Sequence, residues 1–291
     1  MISQSGLVAL ARGAVLSPFT QLRQLLDGTE PGDTPIDLTI GEPREAMPTF
    51  VVEKLIEAAA DYAKYPPIRG TQHLREAIAQ WAARRYGAHV ALDPGREILP
   101  LNGSREGLFY AALPAAGRKE VAQRRAILMC NPFYSSYLGA ALAVEAEPVF
   151  LNATDATGHL PDLDALEADS ALLDRTAAFY LCSPANPQGT IASSGYLQRA
   201  LQLARRHDFM LFVDECYSEI YADEPPTGAL QVAAATPERF ANLVVFNSLS
   251  KRSNLPGLRS GFCAGDGDFL DTFAEIRNLI APQVPGPTQY A

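Results

Sequence analysis

The reading of this chain turns on one stretch, Leu243-Val244-Val245-Phe246-Asn247-Ser248-Leu249-Ser250-Lys251-Arg252-Ser253-Asn254-Leu255-Pro256-Gly257-Leu258-Arg259-Ser260-Gly261-Phe262-Cys263-Ala264. Residues 243–246 form a short apolar run, which reads as a buried strand, and residues 262–264 form another. Between them stand one lysine, Lys251, two serines just before it, and an arginine eight residues after it, Arg259. A lysine at the end of a buried strand is costly unless it has a partner or a task. Taken alone, Lys251-Arg252 also reads as a basic surface loop. As chemistry, a lysine amine can form an imine, and its pKa falls readily on desolvation. Arginine binds phosphate in a bidentate way, and serine offers a hydroxyl at short reach.

Further apolar runs extend the pattern upstream, at 98–101, 126–130, 148–151, 177–181 and 209–213. Short continuous runs separated by helical segments imply crossover connections, hence a three-layer α/β/α domain with a mostly parallel sheet. Such strands are covered on both faces, so they do not alternate. Ligands in these sheets bind beyond the carboxyl ends of the strands, so the residues that follow each run are the candidate site. After Leu101 come Asn102-Gly103-Ser104-Arg105, a glycine turn opening a helix and able to meet an anion; Ser104 also serves as an ordinary cap. After Cys130 comes Tyr134, an aromatic able to stack on a flat ring, although packing explains Phe133, Tyr134 and Tyr137 equally. After Leu181 comes Asn186 between two prolines, and after Val213 comes Asp214, a carboxylate that needs a cationic or hydrogen-bonding partner. Asp214-Glu215 also reads as an acid pair at a helix start. Tyr217 follows close behind.

Composition narrows the function. The chain has 291 residues, 47% of them hydrophobic, and a net charge of −9. That size suits one large α/β domain or two ordinary ones. The acidity argues against nucleic acid and against a basic membrane-surface role, and no apolar run is long enough to span a membrane. Cys130, Cys182, Cys216 and Cys263 form no CxxC pair and read as reduced core thiols. His73, His89, His159 and His207 fall in no metal-ligand spacing and read as surface residues, so no metal is expected. These features describe a cytoplasmic protein. Nearer the start, residues 18–26 read as a short amphipathic helix, 36–40 as a strand running into Gly41-Glu42-Pro43, 49–62 as a helix, and 71–86 as a long amphipathic one with Leu74, Ile78, Trp81 and Ala82 on one face. Tyr65, before Pro66-Pro67, reads by itself as an ordinary turn aromatic.

Taken together and in order, these motifs resemble the class I/II aminotransferases, the fold type I enzymes that use pyridoxal 5'-phosphate. The resemblance covers nearly the whole chain. It implies that Lys251 bonds the cofactor aldehyde and moves the substrate proton. It implies that Gly103, Ser104, Arg105, Ser248 and Arg259 hold the phosphate, that Tyr134 stacks on the ring, that Asn186 and Tyr217 meet the phenolic oxygen, and that Asp214 meets the ring nitrogen. Gly41 and Asn186 are the implied substrate contacts, and Tyr65 reaches the phosphate of a neighbouring subunit in a homodimer. One departure is Gln188, where most relatives carry threonine.

The segments at 101–106, 130–134, 214–221 and around Lys251 look most like bacterial succinyldiaminopimelate aminotransferases. That implies amino exchange between N-succinyl-LL-2,6-diaminopimelate and 2-oxoglutarate in lysine and peptidoglycan precursor synthesis. An aspartate or aromatic amino acid aminotransferase is the alternative. On this resemblance residues 1–45 form an N-terminal arm and part of a small domain, and 46–291 a cofactor-binding large domain. The chain ends near where relatives enter a C-terminal small domain bearing a carboxylate-binding arginine. A truncated product that binds cofactor without turnover is therefore a further expectation.

Overall fold

A computed structural model describes Val8 and residues 18–36 and 40–291. Seven strands form one sheet: β1 (Ile98–Leu101), β2 (Ala126–Asn131), β3 (Glu147–Asn152), β4 (Thr176–Cys182), β5 (Met210–Asp214), β6 (Leu243–Ser248) and β7 (Gly261–Gly265). Their spatial order is β1-β7-β6-β5-β4-β2-β3. β7 runs antiparallel to both β1 and β6, and every other neighbouring pair is parallel. The five upstream runs, the run at 243–246 and the three-residue run at 262–264 all become strands, which is the mostly parallel α/β architecture the sequence implies.

Alternation along the strands builds two cores, since successive side chains leave opposite faces. On one face Phe179, Leu211, Val213 and Val245 pack with Ile78, Ala82 and Tyr86 of the helix Gln72–Tyr86 and with Leu197 and Leu201 of Ser194–Arg206. On the other, Tyr180, Phe212, Val244 and Phe246 pack with Leu108, Tyr137 and Phe273, which come from the helices Ser104–Tyr110, Ser135–Ala143 and Gly267–Ile280. Apolar residues are therefore needed at every strand position. Edge strand β3 lacks that double cover, and none of its residues is fully buried.

The helix at Pro18–Leu26 and the one at Gln72–Tyr86, capped by the Thr71 hydroxyl, fall where the pattern puts them. The single helix expected over 49–62 is instead an α-helix, Thr49–Glu57, followed by a 3-10 turn, Ala59–Ala63. The strand expected at 36–40 falls on residues 37–39, outside the described residues. No helix among the described residues is long and apolar enough to cross a membrane. All four cysteines are free and buried. His73, His89 and His159 are exposed, whereas His207 is half-buried and sits 2.8 Å from Asp174 Oδ1.

Candidate active site

Register brings the strand ends level. Cys182 pairs with Asp214, and Asp214 with Phe246. Leu101 and Ser248 both pair with Gly261. The segments leaving β1, β4, β5 and β6 therefore emerge along one edge of the sheet.

Asp214 closes β5 and is 7% exposed. Its Oδ2 accepts from the Tyr137 hydroxyl at 2.7 Å, and its Oδ1 accepts from the Cys216 backbone N–H at 3.2 Å. Burial raises its pKa, and the hydrogen bonds from Cys216 and Tyr137 oppose that rise. No lysine, arginine or histidine forms an ion pair with it among the described residues. Tyr137 is itself fixed by stacking on Tyr180, with ring centroids 4.7 Å apart. From the sequence, Tyr137 was as readily a packing residue. The available signal was its place one helical turn beyond Tyr134, and the partner lies 77 positions away.

Asn186 and Tyr217 meet, the amide donating to the phenolic oxygen at 3.3 Å. Burial, with the Asp214 charge, pushes the Tyr217 phenol up to about 12. Tyr134 precedes the helix Ser135–Ala143 and is half-buried. Its hydroxyl accepts from Arg105 Nε, and the Arg105 guanidinium lies 5.4 Å from its ring centroid.

The stretch after β6 forms a short helix, Leu249–Arg252, then a 3-10 turn, Pro256–Leu258. Lys251 is half-buried, and its Nζ donates to the Gly41 carbonyl. A Cβ on Gly41 would meet nothing within 4 Å, so its glycine answers no contact within the described chain. Arg259 folds back on the turn that follows β1, with Nη2 donating to Asn102 O at 3.1 Å and Nη1 to Pro256 O at 2.9 Å. Glycine is required opposite it: Gly103 has φ +82°, and a Cβ there would stand 2.3 Å from Arg259 Nη2. A Cβ on Gly261 would likewise strike Asn247 O at 2.7 Å. Arg105 and Arg259 together line a cleft of about 400 Å³, with Phe109 and Tyr110 also on its wall.

A thiol joins two of the hydroxyls. Cys216 Sγ donates to Ser104 Oγ at 3.0 Å and accepts from Ser248 Oγ at 3.7 Å. Sequence reading counted Cys216 as a core thiol only. Burial pushes it well above the usual thiol range, so it stays protonated. Tyr65 stands apart from the other predicted residues, fully exposed on its loop.

A helix-covered, mostly parallel sheet with its polar residues gathered at the carboxyl ends of the strands is the architecture of α/β enzymes that hold a small molecule there. This chain belongs to the aminotransferase class I and II family, whose model it matches over residues 33–291. That family works with pyridoxal 5'-phosphate. The chain is 32% identical over 271 residues to the LL-diaminopimelate aminotransferase of Moorella thermoacetica, covering 92% of this chain and 66% of that protein. It resembles a solved aminotransferase from Neisseria meningitidis with a TM-score of 0.88 and 36% identity, covering 97% of this chain and 71% of that one. For the probable N-succinyldiaminopimelate aminotransferase of Thermus thermophilus the TM-score is 0.76 and the identity 30%, covering 88% of this chain and 66% of that one. The chain spans about two thirds of the length of these relatives.

Proposed function

We propose that this chain carries the cofactor half of a pyridoxal-phosphate aminotransferase acting on a diaminopimelate-class amino donor, with 2-oxoglutarate as acceptor. The observation that carries the reading is Asp214, a buried carboxylate held by two neutral donors and without a cationic partner among the described residues. A buried carboxylate calls for a positive partner, and a protonated ring nitrogen is one.

The rest of the donor set fits the same group. Lys251 is the only lysine in the segment that follows β6. Arg259, Ser104 and Ser248 converge on a backbone cradle at Gly103 that a side chain would fill. When bound, the cofactor supplies an aldehyde and a ring that withdraws electrons from the substrate α-carbon. The chain supplies the remainder. The Lys251 amine takes the proton from the α-carbon and returns it, as base and then acid. Asp214 keeps the ring nitrogen protonated. Asn186 and Tyr217 hold the phenolic oxygen, and Tyr134 fixes the ring plane. Gly103, Ser104, Arg105, Ser248 and Arg259 anchor the phosphate. Tyr65 reaches the phosphate of a second subunit, making the enzyme a homodimer, and Gly41 and Asn186 face the substrate. The working compartment is the cytoplasm.

N-succinyl-LL-2,6-diaminopimelate is the donor favoured by the motif resemblance and by the Thermus thermophilus neighbour's name. Unmodified LL-diaminopimelate is the second reading, favoured by the Moorella thermoacetica relative's name. The test has two parts. The chain is mixed with pyridoxal phosphate, reduced with borohydride and mapped by peptide mass spectrometry. A label on Lys251 that Lys251→Ala abolishes is the expected result, and a label surviving in that variant overturns the assignment. Glutamate formation from 2-oxoglutarate is then compared across N-succinyl-diaminopimelate, LL-diaminopimelate, aspartate and phenylalanine. A clear preference for either of the last two removes the diaminopimelate reading.

A further inference from the structure

Under the turn that follows β1 lies an ion pair to which the proposed mechanism gives no role. Arg277, on the helix Gly267–Ile280, is 0% exposed. Its Nε donates to Glu106 Oε1 at 2.8 Å, its Nη1 donates to Pro100 O at 3.1 Å, and its Nη2 lies 2.8 Å from the same Oε1. The second carboxylate oxygen, Glu106 Oε2, accepts from the Asn102 backbone N–H at 2.7 Å. The Asn102 carbonyl in turn accepts from Arg259 Nη2 at 3.1 Å. Asn102 thus links this charge pair, its arginine fully buried and its carboxylate side chain 11% exposed, to the arginine at the anion end of the site.

Stability alone does not account for such a pair. Desolvating a guanidinium and a carboxylate costs about as much as their attraction returns, and well-packed apolar replacements are often at least as stable. What an apolar pair cannot do is accept a hydrogen bond from the Asn102 N–H in a fixed direction. Charge-assisted bonds are the short, directional ones, and here they fix the backbone on which Arg259 rests. We propose that Glu106 and Arg277 are positioning residues that set the placement of the Arg259 guanidinium and hence the affinity of the site for a phosphate-bearing ligand. The inference rests on the reading of that site given above.

The test compares equilibrium binding of pyridoxal 5'-phosphate with that of pyridoxal, which lacks the phosphate, followed by absorbance. The double variant Glu106→Leu/Arg277→Met removes both charges without orphaning either. It is expected to unfold near the wild-type temperature, to bind pyridoxal phosphate about tenfold more weakly and to bind pyridoxal within about twofold of the parent. If the double variant does not fold, Glu106→Gln keeps the shape while weakening both links, and an about threefold loss confined to the phosphate ligand is expected. Arg259→Ala is the control for the site itself. A phosphate-specific loss in Arg259→Ala with none in the pair variants overturns the positioning role and leaves the site reading intact. Equal losses for both ligands in the pair variants also overturn it. No phosphate-specific loss in Arg259→Ala removes the anion site, and this proposal with it.

Discussion

Two acids adjacent in sequence end up on opposite faces of the sheet, and their surroundings differ in kind. Asp214 leaves β5 toward the face of Tyr137 and Tyr180, where a phenol and one backbone amide hold it. Glu215 leaves toward the other face, where the Tyr86 hydroxyl and the Ala229 N–H each donate at 2.6 Å and the charge of Arg85 adds to the field. Tyr86 is held in its turn by Gly228, where a Cβ would stand 2.3 Å from its ring. Both carboxylates are desolvated, but only Glu215 is closed in by two short bonds and a nearby cation. The comparison sets Glu215 with the scaffold and leaves Asp214 for the proposed ligand.

The sharpest way to break that contrast is to neutralise each acid in turn. On the proposed reading, Asp214→Asn is expected to lower transamination by about 10²–10³-fold, because an amide would no longer favour a charged ring nitrogen. Glu215→Gln is expected to stay within about tenfold. Steady-state rates at saturating cofactor decide. Comparable losses in both variants would dissolve the distinction between the faces.

Next in size is a pH effect on the scaffold side. Burial raises Glu215 to about 7, against the 4.5 of an ordinary glutamate. Between those values the folded chain holds a proton that the unfolded chain has released. The stabilisation from this group is therefore complete below about pH 4.5 and is lost as pH rises through about 7, an effect of roughly 3 kcal/mol. Urea unfolding from pH 5 to 8 is expected to show stability falling with pH, and Glu215→Gln is expected to flatten that slope. An unchanged slope would mean that Glu215 is charged throughout. Tyr86→Phe sharpens the same point: leaving Glu215 with one donor fewer is expected to cost about 1–3 kcal/mol in unfolding free energy, with little change in cofactor affinity.

How much of this was legible in the sequence follows from the range of each interaction. The strands were, because double burial demands apolar residues at every position, and β3 was found even though its cover is thin. The ends of β4, β5 and β6 were legible for the same reason, so Asn186, Asp214 and Lys251 could be placed on one edge. Gly103 was singled out as a turn, but its reason, the Arg259 guanidinium against its Cα, needed the fold. The reversed direction of β7 was not readable from a three-residue run, since direction depends on the path taken by residues 249–260. Tyr137 with Asp214, Tyr86 with Glu215 and Arg277 with Glu106 join positions 77, 129 and 171 residues apart. No local pattern encodes such pairs. They exist because strand alternation sends a residue to one face and a helix from elsewhere meets it there.

The smallest effect tests whether Cys216 belongs with Asp214 or with Glu215. Its backbone holds Asp214, while its thiol lies between the Ser104 and Ser248 hydroxyls. If the thiol orients those hydroxyls, Cys216→Ala frees both side chains and is expected to weaken pyridoxal phosphate binding by about two- to fivefold while leaving stability within about 1 kcal/mol. Cys216→Ser, which can also donate and accept, is expected to recover most of that loss. Equilibrium titration and urea unfolding of the same samples separate the outcomes. A Cys216→Ala variant that loses as much stability as Tyr86→Phe and keeps full affinity would move this thiol to the scaffold side, leaving Tyr137 as the side chain that positions Asp214.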